Sequence, residues 1–230
     1  MNSLPKPLPL MPKPLQITVY QDVLCAWSYL ADSRLDVLRQ EFRDIVRFRV
    51  RPFPLRVNDV LPTDKERRAL VKEVERAQEE LDPAARLITP ELWKGSDAPR
   101  SSVPALAALE AARLQGPTAR ALLARAMQRA ALEQGVNVTR NDVIFELASR
   151  VGLSMNAFAA AFASPQTRQL VMDEHRLAAG RGVRGVPTLV IGGRWMVCGL
   201  REVSEYREHI LACLGKLHLP KAGETERLFH

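Results

Sequence analysis

Between residues 15 and 41 the spacing of apolar residues changes once, and the change falls on a cysteine. LQITVYQDV (15–23) alternates and is rich in β-branched and aromatic residues, the pattern of a strand. After Cys25, the residues Trp27, Leu30, Leu35 and Leu38 fall near helical spacing, which predicts a helix over 26–41. IVRFRVRPF (45–53) is a second strand, opened by Asp44 and ended by Pro52 and Pro54. A strand, a helix and a strand within about 40 residues make one crossover unit, so the chain begins as an α/β protein.

A block of helices follows. DKERRALVKEVERAQEEL (64–81) carries apolar residues at 70, 71, 74, 77 and 81 among charges. A helix starts after Ser101 and Ser102, both plausible caps, and ends at Gly116. Another spans 117–135, with Pro117 near its start and Gly135 at its end. Helices over 139–152, capped by Thr139 or Asn141, over 154–164 and over 165–182 complete the block. Strand signals then return. PTLVIGGRWMVCG (187–199) is two runs joined by Gly192-Gly193, which tolerate positive φ and predict a two-residue hairpin loop. A last amphipathic helix covers 201–217.

The chain of 230 residues carries 33 Lys and Arg against 26 Asp and Glu, a formal charge of +7. The basic residues are interleaved with acidic ones and form no block of like charge, so a solvated surface is expected and no nucleic-acid partner. No apolar run approaches the roughly 18 residues of a membrane span, and no membrane partner is expected. Cys25, Cys198 and Cys213 are too few, and odd in number, for a disulfide framework. MNSLPKPLPLMPKPLQ is broken by proline too often to be a signal peptide. A disordered Pro/Lys-rich arm (1–15), a mobile tail (218–230) and a cytoplasmic location are the expectations.

Cys25 stands where a strand ends and a helix begins. Unpaired N–H groups and the helix dipole favour an anion there, so the thiol pKa is expected below its ordinary value of about 8.5. The competing reading is a buried, inert cysteine. Far downstream, Pro187 in GVRGVPTLV sits at the first residue of a strand, one of the few strand positions that tolerate proline. Its peptide bond is a candidate for cis.

DVLCAWSYLA together with GVRGVPTLVIGGR resembles the thioredoxin-fold proteins of the DsbA type. The nearest branch is that of the FrnE-like oxidoreductases and the related 2-hydroxychromene-2-carboxylate isomerases. The resemblance covers roughly residues 16–215. It implies an α/β thioredoxin fold (β-α-β … α-β-β-α) interrupted by an all-α insert. Residues 16–60 and 183–217 would form the thioredoxin-like domain and 61–182 the insert, its last helix shared with the thioredoxin core. It also implies that Cys25 is the attacking cysteine, that Pro187 is the cis-proline beside it, and that Val186 offers main-chain hydrogen bonds to a peptide or glutathione. Trp27, Thr188 and Arg184 would help to form that binding surface.

The motif departs from the family. A FrnE-like enzyme carries C-P-W-C, whereas here Cys25-Ala26-Trp27-Ser28 lacks the second sulfur. The isomerases and kappa-class glutathione transferases tend to carry serine at both positions. Cys25 therefore cannot close a disulfide within the motif, although its thiolate still forms a mixed disulfide that a second thiol must resolve. Ser28 can donate a hydrogen bond to the thiolate. Cys198 is the candidate resolving thiol within the chain, expected on the same side of the domain as Cys25, against a reading as apolar filler. Cys213 is expected in the core. The histidines show no metal-ligand spacing, and no metal site is expected. Arg181 and Arg184 are read as solvated charges or as holders of an anionic ligand. His175 is read as structural, and Asp22 as turning the strand into the loop, with proton transfer as the second reading.

The expected function is a thiol-disulfide oxidoreductase acting through the single nucleophile Cys25, with no tightly bound cofactor and glutathione as a candidate co-substrate. Its partner would be a protein or small-molecule thiol or disulfide. A glutathione-dependent isomerase or transferase is the second expectation, and a non-catalytic peptide-binding module the third. Monomer and homodimer are both compatible with the resemblance.

Overall fold

The structure is a computed structural model that describes residues 13–218. The expected arm and tail lie largely outside them. Four strands form one sheet in the order β2-β1-β3-β4. Strand β1 (Leu15–Gln21) pairs in parallel with β2 (Val46–Pro52), from Leu15↔Val46 to Gln21↔Pro52. On its other side β1 pairs antiparallel with β3 (Thr188–Ile191), which pairs antiparallel with β4 (Trp195–Cys198). Helix α1 (Ala26–Glu41) makes the crossover between β1 and β2.

The two-residue period sorts the sheet's side chains. Leu15, Ile17, Val19, Leu189 and Ile191 face α1 (Leu35, Leu38) and α9 (Val203–His218), whose Tyr206, Ile210 and Cys213 close that core. Tyr20 and Val190 face the other way, onto Phe53, Val183 and Ala178 of α8 (Pro165–Gly180). Because the sheet is covered on both faces, every residue of the central strand β3 is buried.

The helical insert has its own core around α4 (Val103–Arg113). Residues 105–112 of α4 are all buried, and five of these eight are alanine. Small side chains on every face let α5 (Pro117–Gln128), α6 (Asn141–Arg150), α7 (Met155–Ala163) and α8 approach closely. Val23, Leu24, Ala26 and Leu30 belong to this core. The N-terminal half of α1 is thus packed into the insert and its C-terminal half onto the sheet.

Several boundaries differ from the sequence reading, each for a local reason. Helix α2 (Asp64–Gln78) stops three residues early, and its start is a capping box between Thr63 and Glu66. At α4 the N-cap position is Ser102, but the hydroxyl that accepts from Val103 N–H belongs to Ser101. Neither Thr139 nor Asn141 caps α6; Arg140 holds that position, and the Asn137 side chain accepts from the Thr139 N–H and hydroxyl. The helix expected over 117–135 ends at Gln128 and continues as one π turn, Arg129–Glu133. The hairpin loop has three residues, because Ile191 pairs with Trp195 and Arg194 N–H closes the turn on Ile191 O. Gly192 and Gly193 occupy it at φ 60° and 72°, a region costly for other residues.

Candidate functional site

Cys25 is the N-cap residue of α1. Its N–H donates to Asp22 O at 3.1 Å, and its carbonyl accepts from Tyr29 N–H at 3.1 Å. Its Sγ lies 3.6 Å from Val186 O, placed to donate to it. The Val186–Pro187 peptide is cis. Residues 161 positions apart therefore meet because β3 lies beside β1 and α1 starts where β1 ends.

Ser28 sits one helical turn along and is fully buried. Among the described residues its Oγ has no nitrogen or oxygen partner. The hydroxyl and N–H of Ser28, with the N–H of Trp27, face the Cys25 sulfur and favour its thiolate. Burial outweighs them. The thiol is only 7% exposed, and its pKa is pushed up to about 11 by desolvation, with the Asp22 carboxylate adding to the rise. The helix-terminus argument had implied the opposite direction. It counted the local donors correctly but not the insert, whose core takes in Val23, Leu24 and Ala26 around the thiol.

Asp22 is also buried, at 1% exposure. Its Oδ1 accepts from Leu24 N–H at 3.0 Å and its Oδ2 from Leu55 N–H at 2.8 Å. Burial raises its pKa, while Leu24 N–H, the Ser102 hydroxyl and Leu55 N–H oppose the rise. The Ser102 hydroxyl has one proton to offer, with Arg56 O 3.4 Å away as its other acceptor, while its oxygen accepts from Arg56 N–H. Asp22 thus ties the loop before Cys25 to residues 55–56 and to the start of α4. Its place three residues before the cysteine was visible; its partners near 55 and 102 were not.

The raised thiol pKa sets an expected pH profile. Peptide-resolved alkylation of Cys25 by iodoacetamide should quicken about tenfold per pH unit from 7 to 10, without a plateau, because only the thiolate reacts. A plateau beginning near pH 7 would contradict it. The sign carries into stability. A thiol whose folded pKa lies above its unfolded value stabilises the fold fully below about pH 8.5, and that contribution is lost as pH rises through about 11.

Over residues 16–211 the chain matches the profile of the DSBA-like thioredoxin domain. It belongs to that family. No curated protein matches it by sequence. A candidate protein disulfide isomerase of Nitrosomonas europaea shares 17% identity at a TM-score of 0.77, over 90% of this chain and 100% of the other. The cytosolic disulfide reductase DsbM of Pseudomonas aeruginosa, solved with glutathione, shares 24% at 0.63, over 88% and 97%. A 2-hydroxychromene-2-carboxylate isomerase shares 19% at 0.60, over 88% and 95%. At these identities the likeness concerns the fold.

The other expected site residues of this DsbA-like chain separate into those near the thiol and those that are not. Trp27 donates its indole N–H to Glu73 of α2 at 3.1 Å, so it links the motif to the insert. Thr188 is buried, its hydroxyl donates to Gly185 O at 2.8 Å, and its main chain lies in the ladder between Tyr20 and Cys198, so it is a structural residue beside the site. Arg184 donates to Ala179 O near the end of α8, which makes it a cap of that helix. His175 packs on Phe53, with ring centroids 4.6 Å apart. Cys213 lies in the sheet core.

Cys198 is exposed and opposite Thr188, with Gly199 N–H bonded to Pro187 O at 2.8 Å. It is therefore at the same end of the sheet as Cys25. Alternation along β4 groups it with Met196 on the α8 face, however, whereas Cys25 heads α1 on the other face. It also stands on the edge strand, two strand spacings of about 4.8 Å from β1. Cys25 and Cys198 form no disulfide here, and one would need Cα atoms roughly 4.4–6.8 Å apart. Among the described residues no group of three or more His, Cys, Asp or Glu could hold a metal, and no helix is long and apolar enough to cross a membrane.

Proposed function

We propose that this chain is a thiol-disulfide oxidoreductase that works through Cys25 alone. The supporting observation is the placement of the Cys25 sulfur against the cis Val186–Pro187 peptide, with the Ser28 hydroxyl where a second sulfur would stand. The Cys25 thiol loses its proton to solvent, and its thiolate attacks a substrate disulfide. One sulfur becomes bonded to Cys25 and the other leaves as a thiolate. A small thiol such as glutathione then attacks the mixed disulfide. It takes the substrate sulfur, and Cys25 recovers a proton. An exposed Cys198 and a Cys25 without a disulfide suit a reducing compartment, and we place the protein in the cytoplasm. In a second reading Cys25 binds and orients glutathione for isomerisation; a thiol that is neutral near pH 7 favours it.

Intact mass with peptide mapping tests the first reading, in a Cys198→Ala background so that the exposed thiol does not interfere. Oxidised glutathione should add one glutathionyl group, on Cys25, and the Cys25→Ser variant should add none. Reduction of a small disulfide should fall to background in the same variant. Turnover that survives Cys25→Ser would reject the proposal.

A further inference from the structure

A cleft of about 720 Å³ lies between α1, the edge strand β2 and α5. Neither Cys25, Ser28, Val186 nor Pro187 lines it. Its size falls within the roughly 300–1,000 Å³ of small-molecule sites. Phe48 and Val50 of β2, with Ala121 and Ala124 of α5, give it apolar surface. The Arg39 guanidinium lies over the Phe48 ring at 5.8 Å.

The polar part is dominated by guanidinium groups. Seven arginines line the cleft against two carboxylates, Asp32 and Asp36. Three more carboxylates reach these arginines: Glu110 pairs with Arg113 and Arg120, Glu133 with Arg129, and Glu174 with Arg51. Two positive charges remain in excess. Among the described residues Arg49 has no carboxylate partner. The Arg120 side chain is 11% exposed, and its only protein partner among those residues is Glu110, reached through Nε at 3.4 Å. Its terminal N–H groups form a planar fork without a protein acceptor, in a side chain that lines the cleft. Gln21, buried and on the same wall, has an Nε2 without a partner. The buried, unpaired Gln21 Nε2 beside a concave basic site marks a place for an acceptor.

We propose that this cleft is a second binding site, separate from the thiol, for an organic dianion with a flat apolar body. The Arg120 fork holds the anionic group, and the body lies between Phe48 and the alanines of α5. Phosphate monoesters and dicarboxylates share this chemistry.

Calorimetric titration with 1-naphthyl phosphate and with naphthalene-1,4-dicarboxylate tests it, with inorganic phosphate as the probe that lacks a body. At least one naphthyl probe should bind saturably at one per chain, at least tenfold more tightly than inorganic phosphate; which of the two binds better identifies the anion. Arg120→Gln removes the fork while Arg113 still pairs with Glu110, and should weaken binding at least fivefold. Ala121→Trp keeps every charge and fills the cleft from an exposed helix position, and should weaken it at least tenfold. Cys25→Ser should leave binding unchanged, which keeps this outcome separate from that of the thiol chemistry. Absence of saturable binding, or binding that survives Ala121→Trp, would overturn the proposal.

Discussion

The Ser28→Cys variant is expected to lose two hydrogens on oxidation and to hold a disulfide between position 28 and Cys25. Ser28 lies on the first turn of α1, three residues after Cys25, with its hydroxyl facing the Cys25 sulfur and no other polar partner. A sulfur there is close to isosteric, so the packing should tolerate it. Its effect on the cycle should be large. In the natural chain a glutathione mixed disulfide on Cys25 waits for an external thiol. In the variant the second sulfur is already oriented, and such groups reach effective concentrations of about 10⁵ M or more, against millimolar thiol in solution. Burial of that second thiol takes back part of this gain, so the mixed disulfide should shorten its lifetime by at least about a hundredfold. Acid-quenched mass spectrometry reads the adduct and the disulfide directly. A variant that accumulates the glutathione adduct as the natural chain does would mean that position 28 cannot reach the Cys25 sulfur during turnover.

What could be read in the sequence was what depends on neighbours along the chain. The period change at Cys25 located β1 and bounded α1 at 26–41 because both signals are local. The hairpin showed in Gly192-Gly193, but its length did not, since one further residue decides where the ladder resumes. That same one-residue choice decides which face a strand side chain takes, and so put Cys198 on the face away from α1. The thiol pKa failed for a different reason. Donors at a helix start are implied by the helix itself, whereas desolvation of Cys25 goes with the packing of its neighbours Val23, Leu24 and Ala26 into the insert's core, which is tertiary. The links from Asp22 to Leu55 and Ser102, and from Tyr29 to Glu133 of the π turn, are likewise tertiary. The arginine cleft has no linear signature either, because its cations are spread from Arg39 to Arg129.

The Arg34→Met variant should cost the fold about 3 kcal/mol and lower the melting temperature by about 6–12 °C. Arg34 leaves the middle of α1 with 7% of its side chain exposed. Its Nη2 meets Glu80 at 2.7 Å, its Nε meets Asp82 at 3.4 Å, and its Nη1 reaches Arg201 O at 3.0 Å and Glu202 at 3.2 Å. One guanidinium thus ties the crossover helix to the end of α2 and to the start of α9. Methionine keeps most of the apolar stem, so the loss reports the charge and the fork rather than a cavity. The cost arises mainly at Asp82, whose side chain is 8% exposed and, among the described residues, keeps only Ala84 N–H as a donor once the guanidinium is gone. Glu80 and Glu202 are more exposed and can be rehydrated. Arg34→Lys should recover part of the loss, since one ammonium cannot serve both sides. Arg150→Ala, which breaks an exposed pair with Glu146, should stay within about 0.5 kcal/mol. The strap also bears on the chemistry. The helix it holds is the one whose first half is packed into the insert and whose head is Cys25. Loosening it should let water reach the thiol and lower its pKa towards the ordinary value, so alkylation of Cys25 at pH 8 should be faster in Arg34→Met than in the natural chain. An unchanged alkylation rate in a clearly destabilised variant would mean that the cover over Cys25 is held by the insert's own core and not by this strap.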